Sequence, residues 1–410
     1  GLEEKYDHKI LKKQYVLLFM VFLLGLCLCV CKKGKERQET ILEESTKSDE
    51  VAEQWEKGYD LPLDDRESEK AENDCNRVMT LISDIYENAE KGNSWNTILS
   101  DEDILKIQSK VKETGQPVAT SIAYTNMENY EKMNRFLKAC EEGKKGSMIV
   151  YEVHSDGGIG RNKFTFDGKE MYVLAANAIW KTDHKPGIPY ISYTRIKEWN
   201  YTEKGWFGYE LCVPEPPEVS EIVDGSCLLR VKPMSTEQRE MSEKCVQGLG
   251  YQGNNLLCSN WDQEHMEELD YNGIYEYLYA MKYQKSFDPE DGAKGIPKEE
   301  FESLLMEYLP ITAEQIQEYA AFDQENQTYT WERKDDSDYG RTFFGTSLPE
   351  VTDIKKNQDG TVTLVVDAVC DMVICDDAVI THELTVKFAE DGSFQYLGNK
   401  IRNGDVARYK

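Results

Sequence analysis

A short run near the start of the chain is the most hydrophobic part of the sequence. The seventeen residues from Tyr15 to Cys31, YVLLFMVFLLGLCLCVC, contain no charged side chain. A helix of this length spans roughly 25 Å, slightly less than the ~30 Å hydrocarbon core of a bilayer. Lysines flank the run on both sides, and their long side chains reach the headgroups. The pattern predicts a short cytoplasmic head over residues 1–14 and an uncleaved transmembrane signal-anchor helix over residues 15–31.

Cleavage and orientation are the open questions about this anchor. A cleaved signal peptide needs small residues before the cut, and only cysteines and a glycine are available here. Because lysines lie on both sides, the positive-inside rule gives little information, and the short basic head favours an N-terminus inside the cell. We therefore predict a single-pass cell-membrane protein whose soluble region is extracytoplasmic.

The pattern after the anchor changes from charged to helical. Residues 32–64 are rich in charge and poor in apolar side chains, which is typical of a solvated stalk. From Asp65, apolar residues recur every three or four positions and predict a helix with one buried stripe. Two more helices are predicted, from Ser100 to about Gly115 and from about Thr125 to Gly143. The residues of the first stripe are Ala71, Cys75, Val78, Met79, Ile82, Tyr86 and Ala89.

The period then shortens to two, which predicts strands. Turns rich in Gly, Asn and Asp separate most of these strands. The predicted strands are Ser147–Val153, Lys163–Phe166, Glu170–Ala176, Tyr190–Ile196 and Phe207–Val213. A first domain, residues 65–232, is therefore predicted to consist of helices followed by an antiparallel meander.

The second half of the chain, residues 233–410, follows the same order. Its predicted helices lie around Met241 and Cys245, over Tyr271–Tyr283, over Phe301–Tyr308, and from the capping box Thr312–Gln315 to Phe322. Its predicted strands are Val362–Val369, Thr381–Phe388 and Phe394–Ile401. This order is typical of NTF2-like and cystatin-like domains. We predict an α+β protein with two such domains in tandem behind the transmembrane helix.

The last third of the chain carries a family resemblance. The stretch IPKEEFESLLMEYLPITAEQIQEYAAFDQENQTYTW (Ile296–Trp331), followed by FFGTSLPEVTDI and ITHELTVKFAEDGSFQYLGNKI, resembles uncharacterised membrane-anchored proteins of clostridial-type bacteria. The resemblance lies mainly in residues 296–401 and implies the same location and lineage. It implies no activity and no catalytic residues.

The distribution of charge restricts the possible partners. The net charge is −28, and residues 1–37 hold eight Lys/Arg against four Asp/Glu, so the remaining residues carry −32. Such a surface repels phosphate backbones, which excludes nucleic acid as a partner. The predicted partners are the lipid bilayer, through residues 15–31, and an unknown protein or envelope ligand.

Eleven cysteines form two groups. Three lie in the hydrophobic run and eight lie beyond it, an even number that fits an oxidised, exported protein. The candidates for disulfides are close sequence neighbours: Cys370 with Cys375, Cys212 with Cys227, and Cys245 with Cys258. Buried thiols are the open alternative. No pair has CxxC spacing, and we predict no metal and no other cofactor.

Three sequence motifs suggest chemistry but lack its requirements. His265 lies among acids in DQEHMEELD, which is not the H-E-x-x-H motif of zinc proteases. Phe287–Glu300 lacks the oxygen ligands of a calcium-binding EF-hand in either register, and it predicts a turn into a helix. HSDGGIGR (His154–Arg161) lacks the G-x-x-x-x-G-K-[ST] spacing of a phosphate loop, and it predicts a flexible hairpin between strands.

His382 is the most interesting single residue. The alternation along its strand places it on the inward face, where a cone-shaped fold can line a ligand pocket. The other candidates for that pocket are Tyr329, Trp331, Asp367 and Tyr396. A core histidine with a hydrogen-bond partner is the alternative.

No catalytic signature accompanies these features. A non-catalytic, extracytoplasmic binding or interaction module at the cell envelope is therefore the leading prediction. The alternative is a cell-envelope enzyme whose active site is dispersed over the C-terminal domain. A structural or cation-buffering surface protein is a third possibility, because excess carboxylates attract Ca²⁺ weakly.

Overall fold

The computed structural model describes residues 40–93, 95–331, 346–370 and 377–402. These residues divide into two compact units, and the chain passes from one to the other between Pro233 and Met234. The predicted α+β class is confirmed, with helices and antiparallel sheets in both units. No helix in the described ranges has the length and apolar character needed to cross a bilayer. The predicted anchor, residues 15–31, lies outside those ranges.

The N-terminal unit combines four described helices with one seven-stranded sheet. The helices are α1 (Thr40–Lys57), α2 (Asp65–Asn88), α3 (Asp101–Val111) and α4 (Tyr130–Glu141). The strands, which follow one another in the sheet, are β1 (Val118–Thr120), β2 (Gly146–Val153), β3 (Ile159–Phe166), β4 (Met171–Trp180), β5 (Pro186–Tyr201), β6 (Trp206–Leu211) and β7 (Ser226–Arg230). Only the pair β1–β2 is parallel among these described strands.

The helices of this unit cover the two faces of the sheet unequally. Asp64 caps α2 by accepting bonds from the backbone N–H groups of Arg66 and Glu67. The predicted stripe of α2 is buried, and with α3 it packs against one face of the sheet. Helix α4 covers part of the other face, mainly through Met133, Phe136 and Leu137. Part of that second face therefore stays open.

The end of the predicted stalk differs from the prediction. Within residues 32–64, a helix (α1) forms, and the segment after it hydrogen-bonds to β5 and buries Leu61. The Arg195 guanidinium donates to the carbonyls of Trp55 (2.8 Å) and Glu56 (3.1 Å) at the end of α1. A cation there satisfies carbonyls that the helix leaves unpaired. The composition of residues 32–64 does not indicate this contact, because Arg195 is distant in the sequence.

The C-terminal unit contains five α-helices, one π-helical turn (Ser242–Val246), one 3-10 turn (Met266–Glu268) and two sheets in the described ranges. The helices are α5 (Thr236–Met241), α6 (Tyr271–Tyr283), α7 (Pro289–Gly292), α8 (Lys298–Tyr308) and α9 (Ala313–Tyr319). A small sheet has the order β8 (Ile296–Pro297), β10 (Thr328–Tyr329), β9 (Phe322–Asp323). A meander of four antiparallel strands follows: β11 (Leu348–Lys356), β12 (Val362–Val369), β13 (Thr381–Phe388) and β14 (Phe394–Ile401).

Some observed boundaries differ from the predicted ones for a local reason. The helix predicted from about Thr125 begins at Tyr130, because Glu128 instead exchanges backbone hydrogen bonds with Val118 of β1. Asn129 then adopts a left-handed backbone conformation with φ of 54° before the helix starts. A long-range bridge thus overrides the helical periodicity of these five residues.

Candidate functional site

The predicted pocket residue His382 is enclosed in the core of the C-terminal unit. The Tyr251 hydroxyl donates to its Nε2 at 2.7 Å, and its Nδ1 donates to Asn399 Oδ1 at 2.6 Å. The amide group of Asn399 is oriented by its own donation to the carbonyls of Leu257 and Ser259, both at 2.9 Å, so its oxygen faces the ring. Burial lowers the pKa of His382 to about 4. The ring is therefore neutral, with both nitrogens bonded.

Asp367 and Tyr396, two other predicted pocket residues, lie on the strands on either side of β13. Asp367, on β12, accepts from the Thr381 hydroxyl at 2.7 Å. Tyr396, on β14, donates to the carbonyl of Cys245 at 2.6 Å. Both side chains are buried and bonded within the unit.

Tyr329 and Trp331 belong to a separate aromatic cluster. The Tyr329 hydroxyl donates to Glu302 Oε1 at 2.6 Å, and its ring stacks on Phe301 with centroids 4.1 Å apart. Trp331 packs edge-on against Phe287 at 5.4 Å. As far as the structure describes them, the five predicted residues do not line one common pocket. Four of them are buried, and Trp331 is half-buried against the core.

The cysteines in the described ranges are thiols. The predicted bonds Cys212–Cys227 and Cys245–Cys258 are not formed, and the sulfurs of Cys227 and Cys258 instead donate to nearby carbonyls. Burial raises the pKa of Cys258 to about 11 and that of Cys245 to about 12, so both thiols stay protonated at neutral pH. The third predicted pair includes Cys375, which lies outside the described residues. Sequence proximity was the only basis for these pairs, and it does not bring the sulfurs together.

The open part of the N-terminal sheet has a composition unlike that of a core. The register aligns its side chains in rows across β2, β3, β4 and β5. The two rows under α4 are mainly apolar: Gly146–Phe166–Met171–Ile196 and Met148–Phe164–Val173–Thr194. The next two rows are mainly polar or small: Val150–Asn162–Ala175–Ser192 and Glu152–Gly160–Asn177–Tyr190. We name one set of half-buried residues here the polar face: Glu152, His154, Asn162, Asn177, Tyr190 and Ser192.

The amides of the polar face are available for binding. Within the described part of the chain, the side chains of Asn162, Asn177 and Ser192 make no hydrogen bond to another residue. Each carboxamide has two N–H donors and an oxygen that accepts twice, and each hydroxyl both donates and accepts. Between them, Gly160 and Ala175 leave a floor with little side-chain volume.

His154 lies over this floor at the end of β2. A Cβ atom on residue 160 would be 2.9 Å from His154 Nε2 and 3.3 Å from Asn177 Oδ1, so glycine is needed to bring both atoms this close to the sheet. The same Nε2 is buried and has no hydrogen-bond partner among the described residues. An unpaired buried nitrogen costs about 1–3 kcal/mol in stability.

The electrostatics of the polar face are close to neutral. The Tyr190 hydroxyl donates to Asp60 Oδ1 at 3.2 Å, and burial raises the pKa of Tyr190 to about 12. Glu152 supplies the one carboxylate of the set. A chain of net charge −28 therefore presents mainly uncharged hydrogen-bonding groups at this surface.

The opposite face of the same strands is closed by a buried ion pair. Arg161, which precedes Asn162 on β3, is fully buried and donates from Nε (3.1 Å) and Nη2 (2.9 Å) to Asp74 of α2. This pair ties the helix to the sheet. Its burial leaves no room for a substrate, so we interpret it as structural.

The other motifs are surface features or turns. His265 is exposed and bonds to Asp262 at 2.8 Å. The His154–Arg161 segment connects β2 to β3, as predicted for a hairpin, and Phe287–Glu300 leads into α8. The described residues contain no group of three or more His, Cys, Asp or Glu that could hold a metal ion.

Sequence analysis missed the polar face because it considered each strand separately. A usable signal was nevertheless present. Asn177 and Ser192 alternate with apolar residues along β4 and β5, and connecting β3, β4 and β5 through their hairpins places Asn162, Asn177 and Ser192 in neighbouring rows.

One comparison with known proteins gives a match. A family model described as "Family of unknown function (DUF6070)" matches residues 68–409, which span the chain from α2 to beyond β14. No curated protein and no solved structure matches the chain. The match covers most of both units, and the chain therefore belongs to the DUF6070 family.

Proposed function

We propose that this protein is a membrane-anchored, extracytoplasmic binding protein that binds a component of the cell envelope through its polar face. One observation carries the proposal: two neighbouring rows of half-buried and mainly uncharged hydrogen-bonding groups, whose amides are unbonded, lie around Gly160 and Ala175. Ligand sites are concave and combine small or apolar walls with a few convergent polar groups. The polar face has this composition.

The location is proposed from the sequence. The uncharged run over residues 15–31 supports a single transmembrane anchor, and the basic head supports an N-terminus inside the cell. The resemblance of residues 296–401 supports a clostridial-type bacterial envelope. The order of elements in each unit supports an NTF2-like or cystatin-like ancestry for both domains.

An enzyme in the C-terminal unit has less support. A general acid or base must reach a substrate proton, directly or through one water. His382 is fully buried, and both of its nitrogens are bonded to the protein. The binding function is therefore favoured over the catalytic one.

Co-sedimentation with isolated cell-envelope fragments tests binding. We expect the full-length protein in detergent to sediment with the fragments, and the double variant Asn162→Ala/Asn177→Ala to bind roughly tenfold or more weakly, since each lost hydrogen bond is worth about 0.5–1.5 kcal/mol. Thr165→Ala is the matched control, because Thr165 is also half-buried on β3 but lies on the opposite face. If the double variant sediments as well as the control, the polar face is not the binding site.

Labelling of intact cells tests the location. Ile222 is 89% exposed, so Ile222→Cys provides an accessible thiol in the N-terminal unit. We expect a membrane-impermeant maleimide to label this variant above the level of the parent protein on intact cells. Labelling that requires the membrane to be opened first would show that the unit lies inside the cell.

A further inference from the structure

We infer that the ligand of the polar face is a chain of neutral sugars, an inference that rests on the proposed binding function. Charge gives the first argument. A protein of net charge −28 repels anionic ligands, and two carboxylates, that of Glu152 and that of Asp60 beside Tyr190, are too few to select a polycation. Asn162, Asn177, Tyr190 and Ser192 bind through uncharged amide and hydroxyl groups.

Hydrogen-bond chemistry gives the second argument. A sugar hydroxyl donates one hydrogen bond and accepts others, so its best partners offer both functions at once. The carboxamides of Asn162 and Asn177 and the hydroxyl of Ser192 do so, and none is occupied by another described residue.

Spacing gives the third argument. Asn162, Asn177 and Ser192 follow a zigzag across β3, β4 and β5, and each step joins diagonal neighbours of adjacent strands. Such neighbours are about 7–8 Å apart, a span comparable to one sugar ring with its hydroxyls. The two steps therefore suit more than one sugar unit. Ala175, inside the zigzag, supplies apolar surface for the C–H face of a ring.

A series of oligosaccharides that differ in charge tests the ligand class. The probes are the neutral tetramer of N-acetylglucosamine, its deacetylated cationic tetramer, an anionic hyaluronan tetrasaccharide and the N-acetylglucosamine monomer. Binding to the full-length protein is measured by calorimetry in a detergent without a sugar headgroup. We expect the neutral tetramer to bind at least roughly tenfold more tightly than the charged tetramers and the monomer.

Variants assign that binding to the polar face. We expect Asn177→Ala to bind the neutral tetramer roughly tenfold more weakly and Thr165→Ala to bind it as tightly as the parent protein does. Circular dichroism verifies that both variants are folded. The inference would be overturned if all three tetramers bind equally tightly. It would also be overturned if the two variants bind the neutral tetramer equally tightly. If no oligosaccharide binds while co-sedimentation with the envelope still depends on Asn162 and Asn177, the ligand class is wrong and the proposed function stands. If neither assay depends on these residues, both proposals fail.

Discussion

Two histidines on the two large sheets show how differently the units use polar side chains. In the C-terminal unit, His382 is fully buried and bonded on both ring nitrogens, to Tyr251 and to Asn399. In the N-terminal unit, His154 is half-buried, and its Nε2 has no partner among the described residues. The first histidine completes a network that the fold itself requires. The second leaves a ring nitrogen that no described residue bonds.

This difference teaches that burial alone does not identify a binding site. The closed set around His382 gains nothing from a ligand, because all its members are already bonded. The amides of the polar face are half-buried and unbonded. They stabilise the protein little but can form hydrogen bonds to a ligand. The histidine that attracts attention in the sequence is thus the structural one.

Removing His382 should have the largest effect. His382→Ala leaves a cavity and removes the partners of Tyr251 and Asn399, and we expect a loss of about 3–5 kcal/mol in the free energy of unfolding. Hydrogen exchange of the β13 amides, followed by mass spectrometry, measures the free energy of unfolding of the C-terminal unit alone. Thr385→Ala is the control on the opposite, half-exposed face of β13 and should cost well under half as much. Similar losses in both variants would contradict the closed network.

Acid should remove almost as much stability through the same residue. The folded pKa of His382 is about 4, below the ordinary value of 6.5, so the unfolded chain takes up a proton that the folded chain refuses. The stability that depends on a neutral His382 is fully present above about pH 6.5. It is lost as the pH falls towards 4, which lowers the free energy of unfolding by about 3 kcal/mol. Comparing His382→Gln with the parent removes the background of the carboxylates. If the free energy of unfolding varies with pH in the same way for the parent protein and the variant, His382 takes up its proton in the folded state.

Local rules explain what could be predicted from the sequence. Strict alternation places β12, β13 and β14 at their predicted bounds, and the capping box of Thr312 and Gln315 begins α9. The same alternation correctly directs His382 inward. Its partner Tyr251 is 131 residues away, and no local pattern indicates that contact.

The remaining parts depend on distant segments meeting in space. Arg195 holds the end of α1, although more than a hundred residues separate it from Trp55. The polar face requires the registers of two hairpins at once, since Asn162, Asn177 and Ser192 lie on three successive strands. Such arrangements follow from the whole sheet rather than from any one of its segments.

Removing His154 should have a small effect on stability, in contrast to His382. His154→Ala deletes a nitrogen that is buried without a bond, and this gain offsets part of the lost packing. We expect a change below about 1 kcal/mol in hydrogen exchange of the β2 amides. A loss of stability as large as that of His382→Ala would remove the distinction between the two histidines.

Substitution of Asn177 should have the smallest effect on stability. Its half-buried amide makes no hydrogen bond to a described residue, so Asn177→Ala breaks no internal contact of this kind, and we expect a change within about 0.5 kcal/mol. Urea unfolding followed by hydrogen exchange of the β4 amides measures it, with Arg161→Met as the contrasting variant. Arg161 lies on the neighbouring strand but faces α2, and its loss leaves Asp74 without its buried partner, which costs several times more. A large cost at Asn177 would mean that the polar face is maintained for folding, and its unbonded amides would then no longer point to a ligand.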